Sequence, residues 1–247
     1  MNNLVNNIPD SRGINAYTRD KYFSKLLEFY VGKDLLNQIE DKFIELGECV
    51  GSELEDLALS ADKNPPKLIK RLRDGSLSNT IEKHPNFIKL EKIAFEKFGL
   101  AAMSHRAGVF EMQSILPPII KYGLTFLFVQ NEFGLCCPVS MTDSLTRTLK
   151  KFGDKKLINK FFNQLTSQDL DELFQGAMFM TEHHAGSDVG SIDTIAENID
   201  GQWYLTGDKW FCSNPDADLA MVLARYDKKT IGTRGLSLFL LPKNLES

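Results

Sequence analysis

The sequence predicts an α+β fold in two domains, an all-α part over residues 1–174 and a β part over residues 175–247. Apolar residues recur at helical spacing through the first part, whereas short alternating segments bounded by glycine dominate from Gln175 onward. Because the helices precede the strands, the order is not the βαβ alternation of a parallel sheet. The chain also lacks a GxGxxG motif, which argues against a Rossmann-type nucleotide site.

The first helices follow from apolar stripes. Residues 1–20 show no periodicity and are expected to form an extended surface arm. Residues 21–31 and the segment from Lys33 towards Ala61 each place apolar residues on one helical face. A bend is expected at Gly51 within the second of these helices.

A short helix is predicted at residues 67–72. Asn64 can cap it, the two prolines that follow suit a first turn, and Asp74-Gly75 ends it. A basic cluster lies along this segment: Lys67, Lys70, Arg71 and Arg73. Such a cluster could meet phosphates, but a solvated helix face is the favoured interpretation.

The later helices are predicted to surround the centre of the first domain. One helix begins at His84-Pro85 and carries apolar residues up to Phe98, and the small residues of 99–108 allow close packing. Residues 109–133 form a mostly apolar core helix that Pro117 is expected to kink or break.

Three helical segments close this domain, at residues 140–152, 155–165 and, as a last turn, 167–174. Lysines between positions 150 and 160 form a second basic cluster, which is also interpreted as a solvated face.

The β part contains at least five short strands. The strand-like segments are residues 176–181, 192–198, 203–206, 210–213, 219–224 and 236–241. The sequence Ile199-Asp200-Gly201 provides a hairpin turn between two of them. A sheet that stopped after the last of these strands would leave an open edge.

Composition limits the class of protein. A net charge of −4 gives no indication of a general binder of nucleic acids or anionic membranes. The four cysteines contain no CxxC spacing, so neither a zinc site nor a disulfide framework is indicated. The N-terminus has no signal-peptide pattern, and the most apolar window, residues 115–129, is too short and interrupted to cross a bilayer. A cytoplasmic protein with reduced thiols is expected.

The polar turn at residues 182–188 suggests a binding site. Gly186 can adopt a positive φ, and Ser187 and Asp188 close the turn. Such a turn exposes consecutive backbone N–H groups beside a hydroxyl, an arrangement that can hold a phosphate or pyrophosphate.

Two aromatic residues follow about twenty positions later. Trp210 and Phe211 precede the hydroxyl of Ser213, and an aromatic wall beside a hydroxyl suits a flat ring such as a flavin. On residue types alone, an ordinary turn and two core aromatics remain the favoured explanation of both segments.

A family resemblance changes that balance. The segments Met180-Thr181-Glu182…Gly186-Ser187-Asp188 and Gly207-Asp-Lys-Trp-Phe-Cys-Ser213 resemble the flavin-binding segment of acyl-CoA dehydrogenases. The Trp-Phe form resembles most the adaptive-response (AidB-like) branch. Weaker similarities lie on both sides, at residues 64–66, 84–87, 137–142, 218–225 and 235–240.

The resemblance implies an FAD site and an antiparallel, barrel-like β domain. Met180 would lie against the flavin ring, Thr181 would hydrogen-bond its N5/O4 edge, and Gly186 and Ser187 would approach the pyrophosphate or the pantetheine of the substrate. The other predicted cofactor contacts are Phe211, Cys212 and Ser213. His183-His184 stands where many family members carry Pro-Gly, so the shape of the loop is expected to differ.

The implied reaction is α,β-desaturation of an acyl-CoA thioester, in which a carboxylate removes the α-proton while hydride passes from the β-carbon to flavin N5. In the family the catalytic glutamate belongs to a C-terminal helical domain that these 247 residues do not include, so no catalytic residue is assigned. Glu182 is not expected to be the base. A metal site at Glu182, His183 and His184 is not expected either, because adjacent turn residues point apart.

Three functional hypotheses follow from the resemblance. The chain is the FAD-binding part of an acyl-CoA dehydrogenase, an AidB-like flavoprotein that protects DNA from alkylation, or an inactive remnant. The expected partners are an acyl-CoA or related substrate, with a homo-tetramer or a separately encoded C-terminal domain. DNA is a partner only under the second hypothesis.

Overall fold

A computed structural model describes residues 10–245, which form two compact units. One unit contains residues 10–136 with 168–170, and the other contains residues 137–167 with 171–245. The predicted change from helices to strands falls at Gln175, as β3 begins at Gly176. The contacts nevertheless group the last two helices with the strands.

The helical unit starts with three helices, α1 (Lys21–Val31), α2 (Lys33–Val50) and α3 (Glu53–Lys63). The Asp20 side chain caps α1 by accepting hydrogen bonds from the Tyr22 and Phe23 N–H groups. At Gly51, where a bend within one helix was predicted, the chain instead breaks between α2 and α3. A Cβ there would clash with the Ile14 carbonyl oxygen. Of the predicted N-terminal arm, residues 1–9 lie outside the described residues.

A β-hairpin replaces the short helix predicted at residues 67–72. Strands β1 (Lys67–Arg71) and β2 (Leu77–Glu82) pair antiparallel, and Asp74-Gly75 lies in the turn between them. The helix prediction was wrong because neither strand has a buried face, so the pattern carries no burial periodicity. All four residues of the basic cluster are exposed, as predicted: Lys67, Lys70, Arg71 and Arg73.

The rest of the helical unit contains α4 (Pro85–Glu91), which continues as a π-helical turn over Lys92–Lys97, and α5 (Pro118–Phe128). Of the helix predicted over residues 109–133, the break at Pro117 is confirmed, but the part before it is not an α-helix. Phe110 and Glu111 have positive φ values, and the helix starts only at Pro118. The core is aromatic, and its largest fully buried side chains include Phe43, Phe95, Phe98 and Phe128.

The second unit combines two helices with a five-stranded mixed sheet. The helices are α6 (Cys136–Phe152) and α7 (Lys155–Leu165), and the strands are β3 (Gly176–Phe179), β4 (Ile195–Ile199), β5 (Gln202–Thr206), β6 (Leu219–Arg225) and β7 (Leu236–Pro242). Strand β6 pairs antiparallel with β7 and parallel with β3, and β4 forms a hairpin with β5. The sheet does not close within residues 10–245, and the parallel β3–β6 pair corrects the expectation of a purely antiparallel, barrel-like sheet.

The two helices of this unit pack on one face of the sheet. Leu145 and Leu149 of α6 and Leu165 of α7 form one buried cluster with Leu219 and Met221 of β6. Residues 167–174 form turns and not the predicted final helical turn. Among the described residues, no helix is long and apolar enough to cross a membrane.

Candidate functional site

The candidate site lies where the chain leaves the sheet after β3 and returns to it at β4. Strand β3 pairs with the first half of β6, and Ile195 of β4 lies opposite Arg225 at the end of β6. Both strands therefore lie on the same side of β6, and residues 180–194 form the loop between them. Met180 and Thr181 continue directly from β3 and are half-buried.

A second segment, residues 207–214, lies beside this loop. The Trp210 N–H donates to the Thr181 carbonyl at 2.8 Å, and the Asn214 amide donates to the Gly176 carbonyl at 3.2 Å. The structure thus brings together the two segments that the sequence selected. The strand predicted over residues 210–213 is absent, because Phe211 has a φ of 54° and forms no ladder.

The aromatic residues of the second segment face solvent. Phe211 is 83% exposed and Trp210 is 50% exposed, and the Trp210 ring contacts the rings of Phe211 and His183 edge to face. A bulky residue with a positive φ is strained, and strain of this kind concentrates at functional sites. Phe211 is therefore held outward by its backbone and is available to cover a planar ligand.

The turn after Glu182 offers unpaired backbone donors. Within residues 10–245, the N–H groups of Gly186, Ser187 and Asp188 donate no hydrogen bond, and neither does the Thr181 hydroxyl. Gly186, which was expected to be able to adopt a positive φ, does not adopt one, and a Cβ there would meet only the Thr181 methyl group at 3.8 Å. Three free amide donors beside an aromatic surface fit an anionic cofactor such as FAD.

The other two predicted cofactor contacts lie on the same segment. Ser213 is exposed, and Cys212 is half-buried. Burial raises the pKa of the Cys212 thiol, although the Lys209 charge partly opposes this effect. A thiol with a raised pKa is neutral and acts as a small packing group.

Glu182 is the central polar group of the site and is only 4% exposed. Its Oε2 accepts from the Asp193 N–H at 2.6 Å, while Oε1 accepts from the Thr194 N–H at 2.9 Å, from the Thr194 hydroxyl and from Lys209 Nζ at 2.8 Å. Burial by itself would raise the pKa of Glu182. The hydrogen bonds from Lys209, Thr194 and Asp193 outweigh it and lower the pKa to about 2.

A group of possible metal ligands occurs here, formed by Glu182, His184 and Asp193, whose ligand atoms lie within 4.8 Å of one another. The fold therefore supplies a third ligand that sequence reasoning did not find. The ammonium group of Lys209 already forms an ion pair with Glu182, however, and His184 and Asp193 are exposed side chains whose Nε2 and Oδ2 atoms lie 3.2 Å apart. The arrangement is that of a polar network around one buried ion pair.

Gly207 is required for the approach of the second segment to the loop. Its φ is 152°, and a Cβ would lie 2.7 Å from the Thr194 Cα. Gly207→Ala is expected to destabilise the protein by more than about 1 kcal/mol, measured by urea unfolding. The matched control is Gly201→Ala, which also has a positive φ but has no atom within 4 Å of the added Cβ. Equal effects of both substitutions would contradict the close approach.

Comparison with known proteins places these elements in one family. Residues 177–247 match the model of the acyl-CoA dehydrogenase middle domain, and residues 6–172 match that of the adaptive response protein AidB N-terminal domain. The chain belongs to the acyl-CoA dehydrogenase family. Within this family, the N-terminal match indicates its AidB-like branch.

Individual members of the family agree with this assignment. Acyl-CoA dehydrogenase family member 11 of Caenorhabditis elegans is 31% identical over 94% of this chain and 39% of the relative. The putative acyl-CoA dehydrogenase AidB of Escherichia coli is 29% identical over 83% of this chain and 38% of the relative. The chain thus spans about two fifths of these acyl-CoA dehydrogenase relatives.

A solved member of the acyl-CoA dehydrogenase family shares the fold. The crystal structure of Caenorhabditis elegans ACDH-11 in complex with C11-CoA superposes with a TM-score of 0.78. Its sequence is 29% identical, and the match covers 92% of this chain and 39% of that chain.

Sequence reasoning did not foresee the structural role of Glu182 and Lys209 in this candidate site. The available signal was the placement of an acidic and a basic residue beside small and apolar residues, Glu182 in one segment and Lys209 in the other. Charged residues in such surroundings are usually paired when buried.

Proposed function

We propose that this chain provides the FAD-binding face of an acyl-CoA dehydrogenase-type oxidoreductase, made by Met180–Ser187 and Trp210–Ser213. The observation that carries the proposal is the union of these two segments through the Thr181–Trp210 hydrogen bond. This union places free amides, an unpaired hydroxyl and an outward-facing aromatic ring within one unit. The family membership supports a flavin as the ligand of this surface.

Each residue has a role that its environment permits. The Thr181 hydroxyl is free to hydrogen-bond the N5/O4 edge of the flavin, and Met180 lies beside it against the ring. Gly186 and Ser187 offer N–H groups to the pyrophosphate or to the pantetheine of the substrate. Phe211 covers the ring, with Cys212 and Ser213 beside it. When bound, FAD would accept the hydride that leaves the β-carbon of an acyl-CoA.

The proton acceptor is not assigned to a residue of this chain. Glu182 is unsuitable because a carboxylate with a pKa of about 2, enclosed by hydrogen-bond donors, is a weak base and is not accessible. We assign the base, and further contacts to FAD, to a C-terminal helical domain such as the family contains. A homo-tetramer is the proposed assembly. The relative ACDH-11 was crystallised in complex with C11-CoA, which supports an acyl-CoA as the substrate class.

The first test is the visible flavin absorbance of the purified chain, recorded as isolated and again after incubation with excess FAD and desalting. Retained absorbance is the expected result. Bleaching on addition of an acyl-CoA is expected only when a C-terminal helical domain supplies the base. A chain that retains no flavin and binds none in a titration contradicts the proposal.

Two substitutions test the assigned contacts. Thr181→Val removes one hydrogen bond and is expected to weaken FAD binding by roughly two- to tenfold, and Phe211→Ala removes the aromatic cover and is expected to weaken it by at least as much. Phe152→Ala is the control, since Phe152 is 74% exposed in the same unit and has no assigned role. Flavin fluorescence titration measures all three affinities. Unchanged affinity in both site variants would exclude this face as the flavin site.

A second candidate is an AidB-like role in protection of DNA from alkylation, which the match of residues 6–172 favours. It predicts DNA binding with a steep dependence on salt concentration, because phosphate contacts release counterions. Flavin retention without DNA binding favours the dehydrogenase role. Absence of both would identify an inactive remnant.

A further inference from the structure

The ion pair between Glu182 and Lys209 joins the two segments of the proposed flavin face. Lys209 Nζ donates to Glu182 Oε1 at 2.8 Å and to the Met180 carbonyl at 3.2 Å, and the two charged side chains are only 4% and 8% exposed. Lys209 therefore holds the residue before Thr181 and the residue after it.

The contact residues lie directly next to this pair in the sequence. Thr181 precedes Glu182, and Trp210 follows Lys209, so the Thr181–Trp210 backbone hydrogen bond lies beside the ion pair. A displacement of either charged residue would move the Thr181 hydroxyl and the Phe211 ring relative to each other. Binding of a rigid ring depends on that spacing.

The pair is also anchored to the centre of the sheet. Glu182 accepts hydrogen bonds from the Asp193 and Thr194 N–H groups, and the Thr194 carbonyl accepts from the N–H of Arg225 at the end of β6. A continuous path of short hydrogen bonds thus leads from the paired strand to Lys209. Both ends of the loop between Glu182 and Asp193 are fixed by one carboxylate.

Stability alone does not explain a buried ion pair at this place. The desolvation of two charges offsets most of their attraction, and apolar replacement of such pairs is often neutral or stabilising. The hydrogen-bond donors around Glu182, in contrast, come from residues 193–194 and from Lys209. Their directions fix these two segments relative to the segment that contains Glu182.

We propose that Glu182 and Lys209 are positioning residues that hold Thr181 and Phe211 at the spacing required by the flavin, an inference that rests on the proposed function. Neither residue is assigned a contact with the cofactor. Their effect on the cofactor is exerted through the backbone of the residues next to them.

The test is a double-mutant cycle in the complete chain with Glu182→Gln, Lys209→Met and the double variant. Each single variant is expected to weaken FAD binding by roughly ten- to hundredfold and to alter the visible spectrum of bound flavin. The double variant contains no unpaired buried charge and is expected to fold with a thermal midpoint near that of the wild type, while its affinity stays low. Lys209→Arg retains the charge and is expected to restore binding to within a few-fold of the wild type.

Lys228→Met is the matched control, because Lys228 forms an equally short ion pair with Glu197, at 2.7 Å, outside both segments. The positioning role is refuted if the wild type binds FAD and the folded double variant binds it with an affinity within about twofold of the wild-type value.

A readout without flavin separates this inference from the proposed function. If the wild type binds no FAD, the proposed function fails, and hydrogen exchange of the Trp210 N–H then decides the positioning role. That exchange is expected to be about tenfold faster or more in the double variant than in the wild type and unchanged in Lys228→Met. Unchanged exchange in the double variant would overturn the inference.

Discussion

Phe43→Ala is expected to lower the free energy of unfolding of the helical unit by about 3–5 kcal/mol, the range for removal of a fully buried phenyl ring. Phe43 has no exposed surface, and its ring contacts those of Tyr17 at 5.3 Å and Phe23 at 6.1 Å between centroids. Helix α5 also approaches it closely, since a Cβ at Gly123 would lie 2.9 Å from the Phe43 ring. Neighbours fixed on three elements cannot close the cavity that the ring would leave.

The two units allow this prediction to be measured separately from effects on the candidate site. Both tryptophans, Trp203 and Trp210, belong to the sheet-containing unit. Urea unfolding is followed by far-ultraviolet circular dichroism for the helices and by tryptophan fluorescence for the sheet-containing unit. Phe133→Ala, which removes a ring that is 73% exposed in the helical unit, is the control and is expected to change stability by less than about 0.5 kcal/mol. A similarly small effect of Phe43→Ala would contradict the aromatic core.

The sequence predicted helices whose buried residues recur with a clear period and strands that are short apolar segments bounded by turn residues. Helices α1, α2 and α7 each bury one stripe, and Asp20 and Asp154 cap α1 and α7 with their side chains. Strands β6 and β7 were predicted to within one residue. In all of these elements local preference and tertiary burial act in the same direction.

The errors arose where tertiary contacts override local preference or where no buried face exists. The hairpin of β1 and β2 is exposed on both faces, so its polar sequence resembled a capped helix. Residues 210–213 have strand-forming side chains, but the hydrogen bonds of Trp210 and Asn214 to the β3 segment force Phe211 into the left-handed region. The grouping of α6 and α7 with the sheet depends on contacts with strands some 70 residues later.

The two segments of the candidate site could be selected from the sequence, but their geometry could not. The two motifs contain Thr181 and Phe211, and the structure places their segments side by side. The pairing of Glu182 with Lys209 links residues 27 positions apart. Local sequence periodicity does not indicate a contact between residues so far apart in the chain. Only the fold shows that the two charged residues form an ion pair.

The same pair gives the second large effect, which depends on pH. The pKa of Glu182 is about 2 in the folded chain and near 4.5 in the unfolded chain. Because the folded pKa is the lower one, the carboxylate stabilises the native state fully above about pH 4.5, and this contribution is lost as the pH falls towards 2 and below. The shift corresponds to about 3 kcal/mol of stability.

A comparison of the wild type with Glu182→Gln isolates this contribution from that of the other carboxylates. The amide side chain of the variant does not titrate, so the wild type is expected to be more stable near pH 6, and the difference is expected to shrink by most of about 3 kcal/mol as the pH approaches 2. Urea unfolding followed by tryptophan fluorescence measures it, because Trp210 adjoins Lys209 in the same unit. A difference that stays constant across this range would mean that Glu182 is not held ionised by Lys209 and the loop amides. A shrinking difference would show that the charged pair stabilises the folded arrangement of the two segments that contain Thr181 and Phe211.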